Sequence, residues 1–342
     1  MAAPDPGGIV MPAEQDHEMV AGGPTVAATG TEQARAPRRE TRPVVPLRRP
    51  MRVVPEGERA PRSTTAPPGR WLDLGARGRT WIREEPGPEG APALVMLHGL
   101  GATGGLNWAG SQYVLRDQFR MITIDHRGHG RGIRTRRFTL EDCADDAAAA
   151  IEALDLGPSI VVGYSMGGPI ASLLWRRHPE LVRGLVFCAT SRNFRGSPAE
   201  KLAFAGVSVA GASPVVLPER LVRAAGSLVC SVPVPLPQPA RDVRWAVDEM
   251  AGHDPRSILQ ATAAIGRFDS SAWIGQVDVP TSVVVCTNDQ IVPPIRQFRL
   301  ARAIPDATVR CVDGGHLCVA GGAPKERFLA ALRQSCLDVA SR

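Results

Sequence analysis

Ser165 lies in the stretch VGYSMGGPIA (162–171), between Gly163 and Gly167, with Gly168 behind it. A serine hydroxyl is a weak nucleophile by itself. It becomes a strong one when a histidine takes its proton and a carboxylate orients that histidine. Further along, the chain offers Asp289 in TSVVVCTND and then His316 in DGGHL, in the order serine, acid, base. Such a set performs acyl transfer through an ester of the serine. Each residue also has a plainer reading: a small residue in a glycine turn, a turn or capping aspartate, an ordinary loop histidine. The readings part on whether the surrounding elements bring the three side chains together.

Those elements can be read from hydrophobic pattern and turn residues. WLDLGARGRTWIREEPG (71–87) has the form of two short strands about a glycine turn. ALVMLHG (93–99), FRMITIDHRG (119–128), SIVVGYS (159–165), LVFCATS (185–191), TSVVVCTND (281–289) and TVRCVDGGH (308–316) are short apolar runs, most of them ending in polar or glycine-rich loops. Helical spacing appears at 139–156, where Thr139 and Asp142 form a variant capping box, at 166–180, near 295–303, and at 324–338. Parallel strands need such crossover helices, and strands covered on both faces read as unbroken Val, Ile and Leu runs. The expected fold class is therefore α/β: an open, doubly wound, mostly parallel sheet flanked by helices. In these sheets chemistry gathers at the carboxyl ends of the strands.

Ser165 falls where a strand meets a helix, on a turn sharp enough that a Cβ on Gly163 or Gly167 would clash. The amide of Met166 then opens the helix and can face a developing oxyanion. A second donor is expected from HGLGATGG (98–105), with the Leu100 amide as the candidate. His98, Gly99 and Tyr164 are expected to line the substrate side, and His98 suits a structural hydrogen bond in its loop better than a base. Asp125, Arg127 and His129, in DHRGHG, read mainly as loop-fixing polar residues. Asp313 is a rival acid, but it is only three residues from His316. Asp278 precedes its strand and belongs at the opposite edge of the sheet.

These motifs resemble the α/β-hydrolase fold superfamily, in the branch with a single lid domain that includes esterases, lipases and haloperoxidase-type esterases. The resemblance covers about residues 70–340. It rests on HG at 98–99, DHRGHG at 125–130, GYSMGG at 163–168, NDQIVP at 288–293 and GGH at 314–316. It implies nucleophile Ser165, acid Asp289, base His316 and an oxyanion hole of Leu100 and Met166. It also implies that the break in strand–helix alternation at 192–275 is a lid, inserted into a core of 69–191 and 276–342. A serine in the nucleophile slot, not an aspartate, disfavours dehalogenase and epoxide hydrolase activity. The expected reaction is hydrolysis of a carboxylic ester of a small to medium hydrophobic molecule. It needs no metal or organic cofactor. An acyltransferase with the same triad, or a slow-turnover ligand-binding relative, are the alternatives. Within the insertion, GVSVAGASPVVLPERLV (206–222) is apolar enough to line an acyl pocket or simply to pack lid helices.

Composition bounds the partners. The chain of 342 residues carries a net charge of +6, unevenly spread. Residues 1–33 hold five acidic groups and no Lys or Arg, whereas 34–62 hold nine Arg and three Glu. The remaining surplus is mild and is no nucleic-acid footprint. Residues 1–68, rich in Pro, Ala, Gly and Arg, lack a hydrophobic period and read as a disordered tail. A basic tail can touch anionic membranes or nucleic acid; a solvated tail, or translation from Met51, is the plainer account. Seven scattered cysteines without a C-x-x-C pair argue against a disulfide framework or a zinc site. No apolar run is long enough to span a membrane, and the N-terminus lacks a signal-peptide pattern. A cytoplasmic enzyme acting on a small acyl ester, with no nucleic-acid partner, is the expectation.

Overall fold

The structure, a computed structural model, describes residues 66–194 and 240–342. The runs read as strands form one eight-stranded sheet. β1 (Gly69–Asp73) and β2 (Arg79–Glu85) are the expected hairpin. β3 (Ala93–Leu97), β4 (Arg120–Ile124), β5 (Ser159–Tyr164), β6 (Val182–Cys188), β7 (Thr281–Cys286) and β8 (Thr308–Val312) follow. The order across the sheet is β1-β2-β4-β3-β5-β6-β7-β8. β2 runs antiparallel to β1 and β4, and every other pair is parallel. This is the doubly wound α/β architecture that the alternation implied.

The helices are α1 (Gly104–Trp108), α2 (Gln112–Leu115), α3 (Leu140–Ala153), α4 (Gly167–Arg177), α5 (Ala240–Ala251), α6 (Pro255–Arg267), α7 (Pro294–Ala303) and α8 (Gly322–Ala340). Two apolar layers result. Val95 and Leu97 of β3 pack with α3 and α4 residues such as Ala144, Ile151, Ile170 and Leu174. Leu94 and Met96, on the opposite face, pack with Trp108, Leu115, Phe328 and Leu332. Because both faces are covered, ALVML reads as one continuous apolar run. The Thr139 hydroxyl oxygen caps α3 by accepting from the Asp142 N–H at 3.0 Å, and its O–H donates to the Asp142 carboxylate at 2.7 Å. The capping box is thus a side-chain pair, not a reciprocal bond to the backbone. α1 stands where the sequence suggested a glycine-rich loop, and α2 follows it in a stretch given no element from sequence; the Thr103 side chain starts α1 by accepting from the Leu106 N–H at 3.1 Å.

Residues 1–65 and 195–239 lie outside the described residues, and with them most of the expected tail, the stretch 206–222 and most of VPVPLPQPA. α5 and α6 are the described part of the 192–275 insertion. α5 is anchored through Glu249, whose side chain is only 3% exposed. Its carboxylate accepts from Arg83 Nη2 at 2.7 Å, from the Thr103 hydroxyl at 2.7 Å and from Arg131 Nη1 at 3.2 Å. The insertion therefore grips β2, the start of α1 and the loop after β4 with one buried charge. Asp254 caps α6, accepting from the Arg256 and Ser257 N–H groups. Among the described residues, no helix is long and apolar enough to cross a membrane.

Removing one partner of a buried ion pair strands the other, at a cost of about 3–5 kcal/mol. Glu249→Ala should therefore lower unfolding stability by that order, because the Arg83 guanidinium is 5% exposed. Glu249→Gln, which retains an acceptor for Thr103, should lose less. Urea denaturation of the three proteins checks the ranking; equal stability of Glu249→Ala and wild type would remove the anchor.

Candidate active site

Ser165 occupies the link between β5 and α4 with φ +51°, a left-handed conformation that L-residues seldom adopt. The neighbouring backbone explains how it persists. A Cβ on Gly163 would lie 2.3 Å from the Gly167 carbonyl oxygen, and one on Gly167 would lie 2.2 Å from that of Leu97. The turn is pressed against β3 and only glycine fits. The Ser165 N–H donates to the Cys188 carbonyl at 3.0 Å. Its own carbonyl accepts from the Gly168 N–H at 2.9 Å and the Thr190 hydroxyl at 2.7 Å. These bonds fix a strained turn and lift the Ser165 side chain off the sheet.

Two neighbouring strand ends supply the other side chains. His316 follows β8, and its Nε2 lies 3.0 Å from Ser165 Oγ. Its Nδ1 lies 2.7 Å from Asp289 Oδ2, in the loop after β7. Asp289 is buried and accepts four hydrogen bonds. Oδ1 takes the Ile291 and Val292 N–H groups at 2.9 and 2.8 Å; Oδ2 takes Gln297 Nε2 at 3.0 Å as well as the imidazole. Nδ1 must donate to this carboxylate, so Nε2 presents its lone pair to the serine hydroxyl. The rival acid, Asp313, instead faces solvent, where Asn288 Nδ2 donates to it at 2.6 Å. Asp278 accepts from Trp175 Nε1 at 3.1 Å, away from the site.

Beside the serine, the N–H groups of Leu100 and Met166 donate no hydrogen bond to any described residue. Met166 is fully buried, so its N–H is a desolvated donor with no partner among the described residues. The Leu100 N–H is oriented indirectly. His98 Nε2 accepts from the His126 N–H at 2.9 Å, which leaves Nδ1 to donate to the Gly99 carbonyl at 2.8 Å. A trans peptide directs its N–H opposite to its C=O, so holding the Gly99 oxygen also aims the Leu100 N–H. The Gly99 N–H donates to Asn107 Oδ1 at 3.0 Å. Gly99 itself abuts the serine, since a Cβ there would sit 3.3 Å from Ser165 Cβ. From the insertion, His253 Nε2 donates to the Gly101 carbonyl at 3.0 Å and Nδ1 accepts from the Gly130 N–H at 2.8 Å.

The structure puts the side chains of His98 and Tyr164 beneath the site, not on a face open to substrate. Both are buried. His98 uses both ring nitrogens on backbone, and the Tyr164 hydroxyl donates to the His316 carbonyl at 2.5 Å. Arg127 holds Asp146 through two bonds of 2.7 Å, and Asp125 accepts from the Gly104 and Arg131 N–H groups. Gln297, Asn107, Thr190 and His253 complete the site and were not singled out from sequence. A signal for Gln297 existed: it shares the buried stripe of α7 with Leu300 and Ala301, an unusual place for an amide. No cluster of three His, Cys, Asp or Glu side chains among the described residues is arranged to ligate a metal ion.

Four histidines gather behind the loop after β3. The ring centroids of His98 and His126 are 4.2 Å apart, those of His98 and His129 5.3 Å, and those of His129 and His253 5.5 Å. Burial pushes all four below the ordinary histidine range, and for the first three the neighbouring imidazoles push further; His126 falls to about 3. Asp125 is raised to about 6, again by burial.

Fold and elbow together define an α/β hydrolase architecture, and comparison with known proteins agrees. The alpha/beta hydrolase fold model matches residues 92–212. A pimeloyl-[acyl-carrier protein] methyl ester esterase from Chromobacterium violaceum is 30% identical over 223 residues, covering 64% of this chain and 84% of that protein. The magnesium-chelatase 30 kDa subunit of Rhodobacter capsulatus is 27% identical over 256 residues, covering 69% and 84%. A thermophilic esterase from Thermogutta terrifontis superposes with a TM-score of 0.62 at 24% identity, over 80% of this chain and 99% of that one. The chain belongs to the α/β-hydrolase fold family and is a hydrolase of that fold.

Two outcomes follow from this geometry. Gly163→Ala drives a methyl group into the Gly167 backbone, so overpacking should destabilise the fold by about 1–3 kcal/mol and displace Ser165; thermal melting and ester turnover should fall together. The histidines also set a pH dependence. Below about pH 6.5 the unfolded chain takes up protons that the buried imidazoles refuse, so stability present above that pH is lost as pH falls towards 3. Asp125 acts in the opposite sense, gaining a proton in the folded state below about 6. Three strongly depressed histidines against one carboxylate leave a net loss. Urea midpoints should decline from pH 7.5 to 5, and a flat profile would contradict the cluster's neutrality.

Proposed function

We propose that the protein hydrolyses carboxylic esters through an acyl-enzyme on Ser165. One observation carries this reading: the continuous relay from Ser165 Oγ to His316 Nε2 at 3.0 Å and from His316 Nδ1 to Asp289 at 2.7 Å, beside two unpartnered N–H groups. In the first step His316 takes the hydroxyl proton as Ser165 attacks the ester carbonyl. The Leu100 and Met166 N–H groups receive the oxyanion of the tetrahedral intermediate. His316 returns its proton to the departing alcohol. Water then attacks the acyl-enzyme by the reverse route, with His316 as base, and the acid leaves. Asp289 holds the imidazole in the Nδ1–H tautomer and stabilises its protonated form. His98, Gly99 and Tyr164 act by fixing this machinery, and α5 and α6 form part of a lid over it.

The relatives' names support an ester as the scissile bond: one is a methyl ester esterase, another an esterase. Those names give no common substrate, and the acyl portion is a matter for measurement. Hydrolysis of p-nitrophenyl esters from acetate to palmitate provides it. Wild type should turn over a preferred chain length. Ser165→Ala and His316→Ala should each lose several orders of magnitude, and the double variant little more than either alone. Unchanged rates in Ser165→Ala would sink the acyl-enzyme. Slow hydrolysis by wild type that is overtaken by transfer to an added alcohol would identify an acyltransferase.

A further inference from the structure

Two cysteines lie directly beneath the relay. Cys286 ends β7, three residues before Asp289, and Cys318 follows His316 by two. Their Sγ atoms are 3.3 Å apart, and both side chains are buried. No other cysteine pair among the described residues makes such a contact. Each sulfur is built into the turn that carries a member of the relay. The Asp289 N–H donates to the Cys286 carbonyl at 3.3 Å, and the Cys318 N–H donates to the Gly315 carbonyl at 3.0 Å. The Tyr164 hydroxyl joins them, 3.7 Å from Cys318 Sγ and bonded to the His316 carbonyl.

We propose that Cys286 and Cys318 form an oxidative modification site, at which a hydroperoxide converts the thiol pair into an intramolecular disulfide joining the acid turn to the base turn. The hydrogen bond between the two sulfurs lowers the Cys318 thiol below its ordinary range, against the opposing pull of burial. In the proposed sequence Cys318, the sulfur that also contacts the Tyr164 hydroxyl at 3.7 Å, reacts first. Its thiolate attacks one peroxide oxygen, the O–O bond breaks, and hydroxide leaves to take a proton as water. Cys286 then attacks the resulting Cys318 sulfenic acid: the S–S bond forms, the S–O bond breaks, and a second water departs. Two thiols and one hydrogen peroxide become one disulfide and two waters. An S–S bond is about 2.05 Å long, so the sulfurs must approach, and the His316 turn must move with Cys318 relative to Asp289. That effect on catalysis rests on the triad reading; the bond itself does not.

The test uses the full-length protein exposed to millimolar hydrogen peroxide, then alkylated and digested. Mass spectrometry should find a Cys286–Cys318 linked peptide that dithiothreitol abolishes. Ester turnover should fall at least tenfold and recover with the reductant, while Cys318→Ala should keep its own turnover under the same treatment. Continued alkylation of both thiols, or their conversion to sulfinic acids without a linked peptide, would overturn the site. A linked peptide with undiminished turnover would overturn its coupling to the relay. A linked peptide in a protein that never hydrolysed esters leaves the site standing and refutes the proposed function instead.

Discussion

The arrangement depends on one close approach of backbone to backbone. Ser165 can hold φ +51° only because the chain on either side of it is clamped, with Gly163 against Gly167 and Gly167 against Leu97. Each contact excludes even a methyl group. The strain of a left-handed serine is of order 1–3 kcal/mol, and the parallel pairing of β5 between β3 and β6 holds it in place. The same clamp leaves the Met166 N–H buried without a partner at the start of α4. The left-handed Ser165 and the buried Met166 N–H are thus two consequences of a single packing constraint, which is why both appear at one turn.

Around that turn the polar groups are fixed before any substrate arrives. Asp289 has all of its acceptor capacity directed by Ile291, Val292, Gln297 and His316. The loop after β3 is held from three sides: His98 fixes the Gly99 carbonyl, Asn107 the Gly99 N–H, and His253 the Gly101 carbonyl. These supports are neutral side chains in a buried layer. Burial suppresses protonation of the imidazoles, so each keeps one acceptor and one donor nitrogen, and a backbone N–H and a backbone C=O can be held by the same ring. A protonated histidine would have two donors and could not accept from the His126 or Gly130 N–H. Suppressed protonation is therefore a requirement of the loop's geometry as well as a result of its burial.

Most of the fold was legible in the sequence. The unbroken apolar runs at 93–97, 159–164 and 281–286 marked strands covered on both faces, and the glycines around Ser165 marked the elbow. Ser165, Asp289 and His316, singled out as candidates because each ends a strand run, lie within hydrogen-bond reach of one another because sheet topology brings strand ends together. Other features depend on contacts that no local pattern encodes. α1 was hidden by glycines at 104 and 105, where a Cβ would strike Thr123 or Arg83. Glu249 reads as an ordinary surface acid of a helix until Arg83, 166 residues away, is packed against it. His98 and Tyr164 looked like substrate contacts because they flank the motifs, but alternation along β3 and β5 and the closed loop behind them turn both side chains inward.

Asp289 and His316 follow separate strands, so their alignment is only as firm as the bonds between the turns after β7 and β8. Those turns touch at several points. The Asn288 N–H donates to the Gly314 carbonyl at 3.1 Å and the Thr287 N–H to Val312 at 2.9 Å. Asn288 Nδ2 reaches Asp313 on the surface, and Cys286 meets Cys318 in the interior. Tyr164, one residue before Ser165, bonds the carbonyl of His316 itself. Ser165, Asp289 and His316 are therefore coupled through backbone as well as through their side-chain hydrogen bonds. These contacts hold the two turns in the relation that lets Asp289 accept from His316 Nδ1, and that hydrogen bond fixes the tautomer in which Nε2 presents its lone pair to Ser165.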